Sequence, residues 1–223
     1  MALAAIAREV IAIDASAEML RHATKLPNIH YQVGFAEQLE GLAGAATGNA
    51  SLPAAGAQVF DLISVGSALH WFDRERFYAQ CRKVLRPSGL LAVYNDHFTT
   101  HMEGSVECKR WMRTRFAKRF PPPQRGMRDI DELQAAASGF AVCERSSFSH
   151  RVPFSRPELI AYLLTRSNIL AVLASKNASE KASGKQEQQT VVQWLQRELA
   201  PLIPNGVTKW FIFKCNLWLL RQS

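Results

Sequence analysis

Apolar and polar positions along this chain repeat with two different periods, and the changes of period mark the elements. From Val59 to Tyr94 it reads VFDLISVGSALHWFDRERFYAQCRKVLRPSGLLAVY. Two apolar, strand-like runs, Val59 to Val65 and Leu90 to Tyr94, flank a helix-period segment from Arg74 to Leu85. Pro87-Ser88-Gly89 predicts a turn into the second strand, so the whole reads as a βαβ unit of a parallel sheet. In an open α/β sheet, ligands lie beyond the carboxyl ends of the strands. The segment Gly66 to Asp73, just past the first strand, is therefore where a ligand would be met.

Upstream, the Ala-rich start to Arg8 favours helix, and Val10 to Ile13 predicts a strand ending in Asp14. Ser16 suits the N-cap of a helix carrying Met19, Leu20 and Ala23, which stops before Pro27. Ile29 to Val33 alternates as a half-buried strand does and runs into Gly34-Phe35-Ala36-Glu37. Leu42 to Gln58, rich in Ala and Gly and nearly uncharged, reads as a surface insertion. Downstream, Glu107 to Phe120 predicts a basic helix stopped by three prolines, and Asp129 to Ser138 another helix. Ala141 to Val152 reads as an irregular strand, and Ser155-Arg156-Pro157-Glu158 as a capping box opening a helix from Leu159 to Leu173. Lys176 to Gln189 is polar enough to predict a mobile loop, Thr190 to Leu199 a short helix, and Val207 to Leu220 a terminal strand.

Composition narrows the class. The 223 residues, 48% apolar and 21% charged, suit a globular chain with a real core. No run approaches the ~20 apolar residues of a membrane span, and Arg8, Glu9 and Asp14 interrupt any signal-like start. The expected location is the cytosol, with two glycosylation-type sequons at Asn49 and Asn177 as chance matches. Cys81, Cys108, Cys143 and Cys215 show no zinc spacing, so reduced thiols and no metal site are expected. The net charge is +8, and the basic excess falls beyond residue 100. Lys109 to Arg128 holds eight Lys or Arg and no acid. Cys108, Trp111, Met112, Phe116 and Phe120 recur there at helical spacing, which fits a buried stripe under a solvated basic face. That reading stands ahead of an anionic substrate drawn by the field, and both stand ahead of nucleic acid.

Three places could carry chemistry. A carboxylate at a strand end, Asp14, can accept bonds from both hydroxyls of a ribose, although a cap or solvated turn is the plainer role. After the next strand, Phe35 or Leu39 could pack on an adenine while Glu37 orders the loop. After the third, small residues at 66 to 68 allow close approach, and His70-Trp71-Phe72 form an aromatic wall; His70 is a base or donor, or simply a wall residue.

These residues carry a resemblance. VIAIDASAEML, YQVGFAEQLE, FDLISVGSALHWFD and CRKVLRPSGLLAVYN, in that order, resemble class I S-adenosyl-methionine-dependent methyltransferases. The likeness is nearest to the small-molecule type 11 group that includes trans-aconitate methyltransferases. It covers Ala2 to Asn95, and the remainder fits loosely as lid and last strands. The resemblance implies a Rossmann-like, doubly wound, mostly parallel α/β sheet with a helical lid. It implies that Asp14 and Ala15 hold the cofactor ribose, and that Ala36 and Glu37 line the adenine pocket. Ser67, Ala68 and His70 would lie beside the sulfonium and the substrate, with His70 and Trp71 as the catalytic pair. The family's first strand and Gly-rich turn should precede Leu3 and are not in this sequence, so a sheet lacking that strand, and a truncated chain, are expected. The expected parts are a cofactor-binding core (1–98), a helical lid or linker (99–139) and C-terminal strands and helices (140–223). The expected activity is methyl transfer to a small molecule, with an anionic carboxylate as the candidate acceptor and a catalytically inactive binding or regulatory relative as the alternative. A nicotinamide oxidoreductase would need GxGxxG before Asp14, and the sequence has none.

Overall fold

A computed structural model describes residues 2–41, 58–123, 129–179 and 184–223. The expected insertion at Leu42 to Gln58 lies almost wholly outside the described residues. The order begins α1 (Ala2–Ile6), β1 (Val10–Asp14), α2 (Ala17–Arg21), β2 (Ile29–Val33), β3 (Phe60–Gly66) and α3 (Arg74–Val84). It continues with β4 (Leu85–Met102) and α4, which starts as Val106–Trp111, widens into a π-helical stretch at Met112–Phe116 and ends as Ala117–Arg119. Then follow α5 (Glu132–Ala137), β5 (Phe140–Ser155), α6 (Arg156–Leu164), α7 (Ser167–Ser179), α8 (Gly184–Leu199) and β6 (Thr208–Gln222).

The strands form two sheets, β1-β2 and β3-β4-β6-β5. β1 pairs with β2 and β3 with β4 in parallel. β6 runs the other way, because its bonds to β4 step backwards: Gln222 reaches Leu85, Thr99 reaches Ile212 and Glu103 reaches Trp210. Its bonds to β5, from Cys143 to Leu219 and Ser147 to Asn216, step backwards as well. One reversed strand in an otherwise parallel set, with helical crossovers, is the mixed α/β architecture expected from the motifs. Among the described residues no strand hydrogen-bonds to the outer edge of β1 or of β3.

The chain folds as two compact units, each with its own core. Unit one takes the chain up to Asn95, residues 129–146 and Leu217–Ser223; unit two takes residues 96–123 and Ser147–Asn216. In unit one, α3 buries Phe77, Tyr78, Cys81 and Val84, one face at helical spacing, against Val65 of β3, Leu91 and Val93 of β4, and Phe140. In unit two, Cys108, Trp111, Met112, Phe116 and Phe120 are all buried with Phe98, Trp194 and Phe211, which is the stripe read from the sequence. Its aromatics are thus committed to a core rather than to stacking on bases.

Three local expectations are corrected. Pro87-Ser88-Gly89 is not a turn between helix and strand: Leu85 already pairs with Phe60, and the next pair is Leu62 with Leu90, so Arg86 to Gly89 bulge within β4. The helix expected from Leu159 to Leu173 is two helices, α6 and α7, bent by 61°, with the Thr165 hydroxyl donating to the Tyr162 carbonyl at the break. The loop expected from Lys176 to Gln189 is helical up to Ser179 and again from Gly184, so α8 begins before Thr190. Among the described residues no single helix is long and apolar enough to cross a membrane.

Candidate functional site

The carboxyl ends of β1, β2 and β3 all lie in unit one, and the loops that leave them are tied together by named bonds. Asp14 closes β1. Its carbonyl accepts from Gly34 at 3.1 Å, joining it to the end of β2, and its Oδ1 accepts from the Ser16 amide at 2.8 Å. That second bond aims the carboxylate and starts α2, where Ser16 Oγ accepts from Met19. Ala15, beside Asp14, is exposed.

The loop after β2 is pinned to α3 at two points. Glu37 Oε1 accepts from the amide of Asp73 at 2.9 Å, and Asp73 is itself the N-cap of α3, accepting from Arg76. Three residues on, Glu40 accepts from Lys83 Nζ at 2.8 Å and from Gln80 Nε2 at 3.2 Å, and Gln80 accepts from the Glu40 amide at 3.1 Å. The Lys83 ammonium, helped by Gln80, holds the Glu40 carboxyl below its ordinary pKa. Ala36 and Leu39 are buried in the core of unit one, whereas Phe35 is 55% exposed. Of the two side chains suggested for covering a flat ring, only Phe35 is available. Glu37 orders the loop, as its position suggested.

Past β3 the backbone turns sharply. Ser67 has φ of 51°, a left-handed conformation that costs a non-glycine residue energy and collects at functional turns. Its amide donates to the Tyr94 carbonyl at 2.8 Å, which holds the turn against β4. Gly66 before it pairs in register with Tyr94. A methyl group on Gly66 would come within 2.6 Å of the Tyr94 hydroxyl oxygen, so the tyrosine ring lies directly over the glycine. Ala68 starts a short 3-10 turn, Leu69 plugs the core, and His70 and Trp71 follow with ring centroids 4.8 Å apart. Trp71 is 66% exposed and is therefore not a core residue. Phe72, in contrast, packs on Phe77 at 5.0 Å.

Asp14, Ala15, Ala36, Glu37, Ser67, Ala68, His70 and Trp71 thus sit on three consecutive strand-end loops of one unit. Sequence reasoning missed Tyr94, whose signal is register rather than motif, and the Glu40–Lys83 clamp. It also missed Asn28, whose Nδ2 donates to the carbonyls of Ala4 and Ala7 and so caps the end of α1. Among the described residues no group of His, Cys, Asp or Glu could hold a metal ion. No thiol nucleophile stands here either: Cys81 lies in the core, and burial pushes its thiol far up.

Parallel βα units with an acid after β1, an ordered loop after β2 and a strained small-residue turn after β3 form a Rossmann-like arrangement, in which ligands are met beyond the strand ends. Residues 1–93 match the family described as Methyltransferase domain. The matched segment is similar to that family, whose resemblance to class I methyltransferases implies S-adenosyl-methionine as cofactor. A candidate methyltransferase of Dictyostelium discoideum is 24% identical over 178 residues, covering 78% of this chain and 62% of that relative. A solved candidate type II methyltransferase from Anaeromyxobacter dehalogenans is 19% identical, with a TM-score of 0.63 over 97% of this chain and 82% of that one. This second likeness shows the fold.

Proposed function

We propose that the protein transfers a methyl group from S-adenosyl-methionine to a small-molecule acceptor, and that the acceptor is a carboxylate. The observation that carries the reading is the convergence of Asp14, Glu37 and the Ser67 turn on adjoining loops inside the matched segment. These residues fit the cofactor: Asp14 keeps one carboxylate oxygen for the ribose hydroxyls, Phe35 offers an exposed flat face for adenine, and Ser67 and Ala68 leave room at the backbone. When bound, S-adenosyl-methionine supplies an electrophilic methyl carbon whose bonding pair stays on sulfur as it leaves. The protein's own part is to position and to exclude water. Trp71 supplies an exposed aromatic wall for the acceptor, His70 supports it, and the Tyr94 hydroxyl offers a donor to an acceptor oxygen. A carboxylate is ionised at neutral pH and needs no general base, which suits a site whose one histidine is engaged in a ring contact. In this reading the catalytic pair is His70 and Trp71, acting by contact rather than by proton abstraction.

The test is direct. Calorimetry with S-adenosyl-methionine should show binding, and methyl-labelled cofactor offered with a panel of small carboxylates should yield base-labile methyl esters. No cofactor binding would overturn the whole reading. Binding with transfer only to amines or hydroxyls would overturn the carboxylate assignment alone.

A further inference from the structure

Unit two holds a cleft that takes no part in the proposed methyl-transfer site. It opens between α4 and α8, with a volume of about 550 Å³. Its lining includes the apolar Trp111, Pro201 and Leu202 and the basic Arg110, Arg115 and Arg197. Two carboxylates share the cleft, but they are already engaged. Glu198 is buried, with Oε1 accepting from Arg115 Nη2 at 2.8 Å and Oε2 accepting from Trp111 Nε1 at 3.0 Å. Glu107 accepts from the Ser105 hydroxyl and makes no ion pair with Arg110. Among the described residues, Arg110 and Arg197 make no salt bridge to a carboxylate, although both are exposed and line the cleft.

Charge and shape together select the occupant. Three guanidinium groups face two carboxylates, so one negative charge completes the balance. A guanidinium fork matches the two oxygens of a carboxylate. The apolar part of the lining favours a ligand with a hydrocarbon body, and the volume falls in the range of small-molecule sites, about 300–1,000 Å³. The wall itself is unusual: the helix widens to π form from Met112 to Phe116, a feature common at functional sites.

We infer that this cleft binds a small monocarboxylate with an apolar tail, its head on Arg110 and Arg197 and its tail on Trp111 and Leu202. The inference does not rest on the methyl-transfer reading, because every residue it uses belongs to unit two. Titrating the full chain with octanoate, octanol and inorganic phosphate by calorimetry tests it. Octanoate should bind at one site, with octanol and phosphate each at least tenfold weaker. Arg110→Gln with Arg197→Gln should weaken octanoate at least tenfold. Octanoate should also move the Trp111 indole N–H resonance, a readout that reports the site even in a less stable variant. Equal binding of octanol would reduce the cleft to an apolar surface, and equal binding of phosphate to a bare cationic patch. An unmoved Trp111 resonance, or an unaffected double variant, would place the ligand elsewhere; any of the four overturns the inference.

Discussion

Each residue of the proposed site has a role that a single substitution can isolate. Asp14 contributes a charged acceptor, and losing a hydrogen bond to a charged group costs about 1.5–3 kcal/mol. Asp14→Ala should therefore weaken S-adenosyl-methionine binding by about that amount in calorimetry, and an unchanged dissociation constant would remove it from the site. Trp71 is exposed, so Trp71→Ala should leave thermal stability nearly intact and cut turnover far more than cofactor affinity. Equal losses in both would assign it to the cofactor side. Gly66 tests the turn: a Cβ there meets the far end of the Tyr94 side chain, which can swing aside, rather than fixed backbone. Gly66→Ala should accordingly impair activity more than stability, and Tyr94→Ala in the same chain should relieve the clash without restoring activity. The positions of Asp14 and Glu37, at and just past strand ends, were legible beforehand because strand ends are legible. Tyr94 was not, because nothing in its own neighbourhood says which residue of another strand will lie beside it.

At the scale of elements, what was legible followed the strength of the period. β2 and α3 show clean periods of two and 3.6, and both form within a residue of where the pattern puts them. The polar stretch from Lys176 failed because it has no apolar face to reveal a helix. Lys, Gln and Glu are good helix formers even so, and α8 extends back to Gly184 on them while Val191, Trp194, Leu195 and Leu199 anchor it. The break between α6 and α7 was hidden for another reason: the polar Thr165-Arg166-Ser167-Asn168 at the break includes no Gly or Pro, and apolar positions resume at Ile169. The capping box at Ser155 was visible and forms, with the Glu158 carboxylate accepting from the Ser155 amide at 2.7 Å and Ser155 Oγ accepting from the Glu158 amide. The Ser155 bonds hold the Glu158 carboxyl below its ordinary pKa. Ser155→Ala should cost about 1 kcal/mol in urea unfolding at neutral pH, the usual worth of such a cap. A loss below 0.3 kcal/mol, roughly the noise of such measurements, would mean that α6 is held by its buried Leu159, Ile160 and Leu163 alone.

For the molecule as a whole, the edges of β1 and β3 to which no strand bonds among the described residues make the sharpest prediction. The Val10 amide donates to Asn28 and the Asp14 carbonyl accepts from Gly34, so the even-numbered residues of β1 face β2. The amides of Ile11 and Ile13 point to the other edge. In β3 the Val59 amide donates to Val84 and that of Ser67 to Tyr94, so those of Leu62 and Ser64 point away from β4. Native-state hydrogen exchange should be markedly faster at Ile11, Ile13, Leu62 and Ser64 than at Ala12, Ile63 and Val65. Uniform protection across β1 and β3 would mean that something else pairs with them. The separation of β1-β2 from the larger sheet was expected from the family resemblance, whereas the division into two cores depends on long-range packing that no local pattern announces.

Those edges have a consequence beyond exchange rates. A parallel pair whose outer edge is open among the described residues offers a ready template for any extended segment, including the same strand of a second copy. Asp61 and its partner Arg86 place charge on the bulge beside β3, but β1, written Val-Ile-Ala-Ile-Asp, has only its last residue to discourage pairing. The colloidal behaviour of this protein should then be governed by β1: self-association rising with concentration, and relieved by a lysine substituted within that strand.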